Sequence, residues 1–368
     1  MKPSTDVIVI GGGLIGLSLG LALRQQGATV LIVERGEPGH EASYAAAGML
    51  AHCDPHMPVL LQPLATASAK AYPEFIREIE GESGEHLDYR LGGTALLLAG
   101  PTEPEILCPE AKTLTPDEVA VLEPGLRCGS RRVVYLPEAA LDPRQLITAV
   151  LAAVKHRGVD LRTGTSVTEV LVTGECVAGV RTEHTQYLAP IVVNCAGAWA
   201  GQLSPRRVPM RPVKGQMLAM AAPIGHHADG SPAVPCFIRH VVRAPEVYLV
   251  PRSDGRIIIG STLEEAGFDK RVEATTIQRL HAAAIALVPQ IAEARILESW
   301  AGLRPTTPDL LPILGQTMIK GYFIAAGHYR DGILLAPITA YLMAQVVRGL
   351  QPELDISAFT PSRFSVLD

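Results

Sequence analysis

Residues 6 to 34 constrain the fold of this chain more than any other stretch. Asp6-Val7-Ile8-Val9-Ile10 is a short apolar, β-branched run of the kind buried on both faces of a parallel sheet. Gly11-Gly12-Gly13-Leu14-Ile15-Gly16 follows at once and satisfies G-x-G-x-x-G. Leu17, Leu21 and Leu23 then recur near helical spacing as far as Gln26-Gly27, a helix stop. Thr29-Val30-Leu31-Ile32-Val33 reads as a second strand, closed by Glu34. Gly11 permits the tight turn, Gly13 lets the backbone approach a pyrophosphate, and Gly16 lets the helix pack close to the strand. N–H groups at the helix start, with the helix dipole, hold phosphate charge. The Glu34 carboxylate accepts hydrogen bonds from ribose hydroxyls and repels a 2′-phosphate, which disfavours NADP. A lone glycine fingerprint is weak, but strand, glycines, helix, strand and acid fall here in the order a dinucleotide-binding fold requires.

The chain has 368 residues, too many for one simple core and typical of two domains. Its net charge of −5, with no Lys/Arg run longer than two, argues against nucleic acid or an anionic membrane as partner. The apolar run Leu14–Leu23 resembles the core of a signal peptide, but three glycines precede it and no small-residue cleavage site follows. No stretch approaches 18 consecutive apolar residues, so no membrane-spanning helix is expected. Cysteines at 53, 108, 128, 176, 195 and 236 form no C-x-x-C pair. They are expected to be reduced thiols in a cytoplasmic protein. His52-Cys53-Asp54-Pro55-His56 is too loosely spaced to predict a metal site.

Three further segments carry a resemblance. Residues 43 to 51 read Ser-Tyr-Ala-Ala-Ala-Gly-Met-Leu-Ala. Residues 192 to 199 read Val-Val-Asn-Cys-Ala-Gly-Ala-Trp, and 327 to 337 read Gly-His-Tyr-Arg-Asp-Gly-Ile-Leu-Leu-Ala-Pro. With the amino-terminal motif they resemble the D-amino-acid oxidase family of flavoproteins, and within it the glycine oxidase sub-family of thiamin biosynthesis.

The resemblance implies an α/β fold with an α+β second domain. A Rossmann-type FAD-binding domain would be assembled from residues 1–85, 140–210 and 299–368, and an antiparallel-sheet substrate domain from 86–139 and 211–298. FAD contacts implied beside Gly11, Gly13 and Gly16 are Leu14, Ile15, Glu34, Arg35, Ala42, Ser43, Ala47, Gly48, Met49 and Val167. The loop His328, Tyr329, Arg330, Asp331, Gly332, Ile333 and Leu334 joins them. It opens an apolar helix, Ile333 to Val347, whose first N–H groups would face the N1–C2=O edge of the flavin. Alanines rather than histidine precede Gly48, and no cysteine follows Cys236, so the FAD is expected to be non-covalent.

Arg304, in Trp300-Ala301-Gly302-Leu303-Arg304-Pro305, is implied as the bidentate clamp for a substrate carboxylate. Tyr248 would support the same carboxylate and Arg330 would be a second arginine at the site. Leu263 and Ala51 would line its side-chain end. Positioned hydride transfer to flavin N5 requires no acid–base residue. The implied reaction is oxidative deamination of glycine, sarcosine and small D-amino acids. The imine hydrolyses to glyoxylate or the 2-oxo acid, and O2 reoxidises the flavin to give H2O2. The alternative is a quinone-linked D-amino-acid dehydrogenase, disfavoured because no basic amphipathic segment is evident. A homotetramer is implied by the resemblance alone.

The rest of the chain predicts strands at Leu87–Leu98, Arg132–Leu136, Met210–Met220, Val247–Val250 and Gly255–Gly260. One face of the resulting sheet would floor the substrate cavity. Helices are predicted at Thr115–Leu122 and Thr276–Val288, with a third beginning at Pro143 behind an Asp142 cap. Residues 221 to 236 read as a loop.

Overall fold

A computed structural model describes residues 5–100, 108–203, 208–221, 225–226, 232–233 and 237–364. Most of the loop expected at 221–236 lies outside the described residues, apart from a short antiparallel pair, Gly225–His226 with Pro232–Ala233.

Val7–Ile10 is the central strand of a six-stranded sheet. It runs parallel to Val30–Val33 on one side and Ile191–Asn194 on the other. All four residues are buried, which is why the run carries no polar alternation. Asp160–Arg162 and Tyr322–Ala326 extend the sheet in parallel, and Ile313–Gln316 closes one edge antiparallel. The helix Leu14–Gln25 returns across this sheet. Gly20 allows close packing there, since a Cβ would sit 2.8 Å from Ile32 Cδ1. The helix Pro143–His156 begins as the sequence predicts, the Asp142 carboxylate accepting the Arg144 N–H at 2.9 Å. The apolar carboxy-terminal helix spans Ala336–Val347, starting after a turn through 331–335 rather than at Ile333.

Gln62–Ser83 is a 22-residue helix that the sequence analysis did not register. Pro73 inside it obscures the periodicity. This helix holds the loop before the carboxy-terminal helix: Ser68 Oγ donates to the Leu334 carbonyl at 2.6 Å and Tyr72 Oη to the Ile333 carbonyl at 2.5 Å.

The second sheet has eight strands, in the order Arg295–Thr306, Arg211–Ala221, Arg256–Gly260, Tyr248–Pro251, Val241–Arg243, Thr94–Leu98, Arg132–Leu136 and Lys112–Leu114. Its pairs are antiparallel except Val241–Arg243 with Thr94–Leu98, which is parallel. The helix Ala274–Leu287 packs its buried face on this sheet's separate core, with Ile277 and Leu280 against Leu218 and Ile259. The domain boundary expected at 298/299 falls inside a strand. Arg295–Thr306 pairs with Arg211–Ala221 along its length, which carries Arg304 into the second sheet.

The cysteine expectation needs one correction. Cys53 and Cys108, 55 positions apart in sequence, form a disulfide with Cα atoms 5.5 Å apart. Nothing in their local sequence pairs them; the fold brings the two segments together. Cys128, Cys176 and Cys195 are free thiols.

Candidate functional site

A cavity of about 650 Å³ is lined by residues of both sheets, within the size range of ligand and cofactor sites. One part of its wall is the amino-terminal turn: Gly11, Gly13, Leu14 and Ile15, with Glu34 and Arg35 from the end of the second strand. Gly11 has φ +104°, and a Cβ there would lie 2.6 Å from the Cys195 carbonyl oxygen. Gly16 stands behind the wall, where a Cβ would strike the Gly11 carbonyl, so its contribution is packing rather than contact. The Leu14 N–H donates to Ser43 Oγ at 3.1 Å. The N–H groups of Gly13 and Ile15 donate to no protein atom among the described residues and remain available to an anion.

Glu34 accepts the Gly12 N–H at 2.7 Å through Oε2 and the Gly36 N–H at 2.8 Å through Oε1. Both bonds fix the carboxylate, and each oxygen keeps a lone pair for a hydroxyl. The Arg35 guanidinium stacks 3.5 Å from the centroid of the Trp199 ring and pairs with Glu41 at 2.7 Å. Val167, the first residue of the strand Val167–Thr173, is also in the wall.

A second part is a strip of small residues. Ala42, Ser43, Ala47, Gly48 and Met49 line the cavity. Gly48 has φ +78°, and its missing side chain admits Pro143, whose Cδ would stand 2.8 Å from a Cβ. Arg252 braces the strip from behind, its buried guanidinium donating to the Ala47 carbonyl at 2.6 Å.

Opposite in sequence, the 327–333 loop supplies His328, Tyr329, Arg330, Asp331, Gly332 and Ile333. Burial pushes the His328 imidazole down to about 3, so the ring is neutral at pH 7, with Nε2 3.0 Å from Thr339 Oγ1. Tyr329 is held at φ +49°, its N–H donating to the Pro305 carbonyl at 2.9 Å. The N–H groups of Gly332 and Ile333 donate to no protein atom among the described residues. Leu334 corrects the expectation: it is 1 % exposed, lies outside the cavity wall and packs into the main core.

A third part of the wall combines strands of the second sheet. Arg304, Tyr248, Met217, Gly215 and Gly260 all line the cavity. Arg304 Nη1 donates to the Thr262 carbonyl at 3.1 Å and Nη2 to Ser261 Oγ at 2.6 Å. Three of the five guanidinium N–H groups are left. Its seat is Gly215, where a Cβ would lie 2.6 Å from Arg304 Cζ. Gly260 similarly seats Tyr248, with a Cβ 2.5 Å from Tyr248 Oη. Burial raises the Tyr248 pKa, which keeps the phenol a donor at neutral pH; its present acceptor is Met217 Sδ at 2.9 Å. Ala51 is buried in the wall, whereas Leu263 lines it while 61 % exposed, toward solvent.

Arg330, the second arginine expected at the site, is already engaged. It lines the cavity, but its Nη2 pairs with Asp54 Oδ2 at 2.6 Å. Asp54, Arg243, Gly215 and Gly260 were missed by sequence reasoning, because no local motif marks them and they meet only through the fold.

The family described as "DAO: FAD dependent oxidoreductase" matches residues 6–346. The chain belongs to that family. It is 33 % identical to a glycine oxidase of Pseudomonas aeruginosa over 98 % of this chain and 99 % of the relative. It is 34 % identical to the bifunctional protein ThiO/ThiG of Synechocystis over 99 % of this chain, and spans 55 % of that longer relative. The crystal structure of glycine oxidase from Geobacillus kaustophilus superposes with a TM-score of 0.90 at 31 % identity, covering 98 % of this chain and 99 % of that one. The protein is therefore an FAD-dependent oxidoreductase. The site fits the cofactor: unpaired N–H groups at Gly13, Ile15, Gly332 and Ile333 face a cavity whose glycines leave the backbone bare. Among the described residues no helix is long and apolar enough to cross a membrane.

Proposed function

We propose that the protein is an FAD-dependent amino-acid oxidase acting on glycine and other small amines such as sarcosine and small D-amino acids, with O2 as electron acceptor. The placement of Arg304 and Tyr248 in one cavity with the glycine turn carries this reading. The names of the relatives, glycine oxidase and ThiO/ThiG, support it. Gly11, Gly13, Leu14, Ile15, Glu34, Arg35, Ala42, Ser43, Ala47, Gly48, Met49, Val167 and the loop 328–333 would hold a non-covalent FAD. When bound, FAD supplies the acceptor for the two electrons and the hydrogen of the substrate α-C–H bond.

The chain's own residues bind and orient. Arg304, already fixed by Ser261 and Thr262, pairs with the substrate carboxylate through its remaining N–H groups. Burial pulls the Arg304 pKa down from 12.5, but the group stays cationic at neutral pH, and the same burial strengthens its hold on an anion. Tyr248 exchanges a weak sulfur acceptor for a carboxylate oxygen when substrate arrives. Small substrates are favoured because Tyr248, within electrostatic reach of Arg304, and its hydrogen-bond partner Met217 already occupy the wall there. The imine product is proposed to feed thiazole assembly in thiamin synthesis. The test is turnover with glycine under air. Glyoxylate, ammonia and H2O2 in equal amounts are expected. No turnover with glycine, sarcosine or D-alanine would contradict the proposal, and turnover that needs a quinone in place of O2 would replace the oxidase by a dehydrogenase.

A further inference from the structure

Five charged side chains from distant parts of the chain meet beside the cavity: Asp54, Glu138, Arg243, Arg330 and Asp331. Four of them line it, Glu138 being the exception. Arg330 Nη2 pairs with Asp54 Oδ2 at 2.6 Å, and Arg243 Nη1 approaches the same oxygen at 3.3 Å. Arg243 Nη2 pairs with Glu138 Oε2 at 3.1 Å, while the Cys53 N–H donates to Glu138 Oε1 at 3.1 Å. His56 stands beside Asp54, with Nδ1 3.4 Å from Oδ1.

Two guanidinium groups thus serve two carboxylates, and a third carboxylate is left over. The Asp331 side chain accepts no hydrogen bond and forms no ion pair among the described residues. Burial disfavours its charge. Arg330 and Arg243 favour that charge, whereas Asp54 and Glu138 oppose it, and the balance lifts its pKa to about 7. The cluster is electrically balanced when Asp331 is protonated. Asp331 lines the same cavity as Arg304 and Tyr248, and its chain neighbour Arg330 lies within electrostatic reach of both.

We propose that Asp331 accepts the proton that an incoming amino acid must shed from its ammonium group. This rests on the amino-acid oxidase reading. A free amino acid is an ammonium carboxylate at neutral pH, and only the neutral amine has a lone pair to stabilise charge developing at the α-carbon. The step is R–NH3+ plus Asp331–COO− giving R–NH2 plus Asp331–COOH. The N–H bond breaks, an O–H bond forms, and no electrons are transferred between the partners. The proton returns to solvent after product leaves. Arg330, held by Asp54, favours the anionic form of the recipient carboxylate against the burial that opposes it.

The experiment is the pH profile of kcat/KM for glycine with the FAD-loaded enzyme, paired with infrared titration of the substrate-free holoenzyme. Wild type is expected to lose kcat/KM about tenfold per pH unit below a break near 7, where Asp331 is protonated and cannot accept. Asp331→Asn is expected to abolish that break and lower kcat/KM on its alkaline side by about 10²-fold, the usual reach of a positioned base. Asp331→Glu is expected to restore most of the activity, and Glu138→Gln to move the break to lower pH by removing a like charge. A protonated-carboxyl band titrating near pH 7 is expected in wild type and absent in Asp331→Asn, a readout independent of turnover. An Asp331→Asn enzyme with the wild-type profile, or no band titrating near 7, overturns the proposal alone. A wild-type enzyme that turns over no amino acid overturns the oxidase reading and the proposal with it.

Discussion

Gly215→Ala isolates the proposed carboxylate clamp with one methyl group. Gly215 lies in the strand Arg211–Ala221, and its φ is outside the positive region, so alanine meets no backbone penalty. The added Cβ would stand 2.6 Å from Arg304 Cζ, whereas ordinary contact begins near 3.4 Å. The guanidinium must retreat by about 1 Å, and its bonds to Ser261 Oγ and the Thr262 carbonyl cannot both survive that move. A 1 Å misplacement of a positioning group costs about 10²-fold in rate. Overpacking costs about 1–3 kcal/mol of stability. Steady-state kinetics with glycine should therefore show kcat/KM down about 10²-fold. FAD content should be unchanged, because Gly215 lies in a strand of the eight-stranded sheet, whereas the unpaired N–H groups belong to the amino-terminal turn of the six-stranded one. Kinetic constants within twofold of wild type, in a folded and FAD-replete variant, would refute the assignment of Arg304 as clamp and Gly215 as its seat.

Glu34→Ala removes the acceptor for the Gly12 and Gly36 N–H groups and for the ribose, so FAD affinity should fall at least about tenfold in a fluorescence titration, while Glu34→Gln should lose less. Burial opposes ionisation of Asp142, but Arg252, the Arg144 N–H and Arg256 together hold its carboxyl below the usual 3.8. Its contribution to stability is present above pH 3.8 and is lost as pH falls through the lower folded value. Asp142→Asn keeps the helix cap but removes the charge facing Arg252 and Arg256, so it should lower Tm at pH 7 by an amount equivalent to about 1.5–3 kcal/mol, with the gap closing in acid. Reducing the Cys53–Cys108 disulfide opens a 55-residue separation and should destabilise the protein by about 4 kcal/mol in chemical unfolding. Unfolded, unreduced protein should titrate two fewer thiols than reduced protein. Denaturation should release all the FAD into the supernatant, as expected of a non-covalent cofactor.

Features encoded within one local segment were readable from sequence. The strand–glycine–helix–strand order, the Asp142 cap with Pro143 behind it, and the strand Arg132–Leu136 each depend on neighbours in the chain. Features that depend on where segments meet were not. Arg295–Thr306 belongs to the second sheet because it pairs with Arg211–Ala221, and its own exposed first half gives no sign of that partner. The Cys53–Cys108 pair and the cluster of Asp54, Glu138, Arg243 and Asp331 draw on residues far apart in sequence, with no motif linking them. Gly215 and Gly260 sit in strands that would read equally well with alanine; only the arginine and tyrosine above them show why a side chain is absent. Leu334 shows the opposite error, since a motif groups it with cofactor contacts while packing sends it behind the wall.

The visible flavin band of the purified holoenzyme tests the central claim most directly. Glycine is added without oxygen, and air is then admitted. The account expects bleaching on addition and rapid recovery in air, with Arg304→Ala failing to bleach at the same glycine concentration. A band unchanged by glycine, sarcosine and D-alanine in an FAD-replete protein would contradict it.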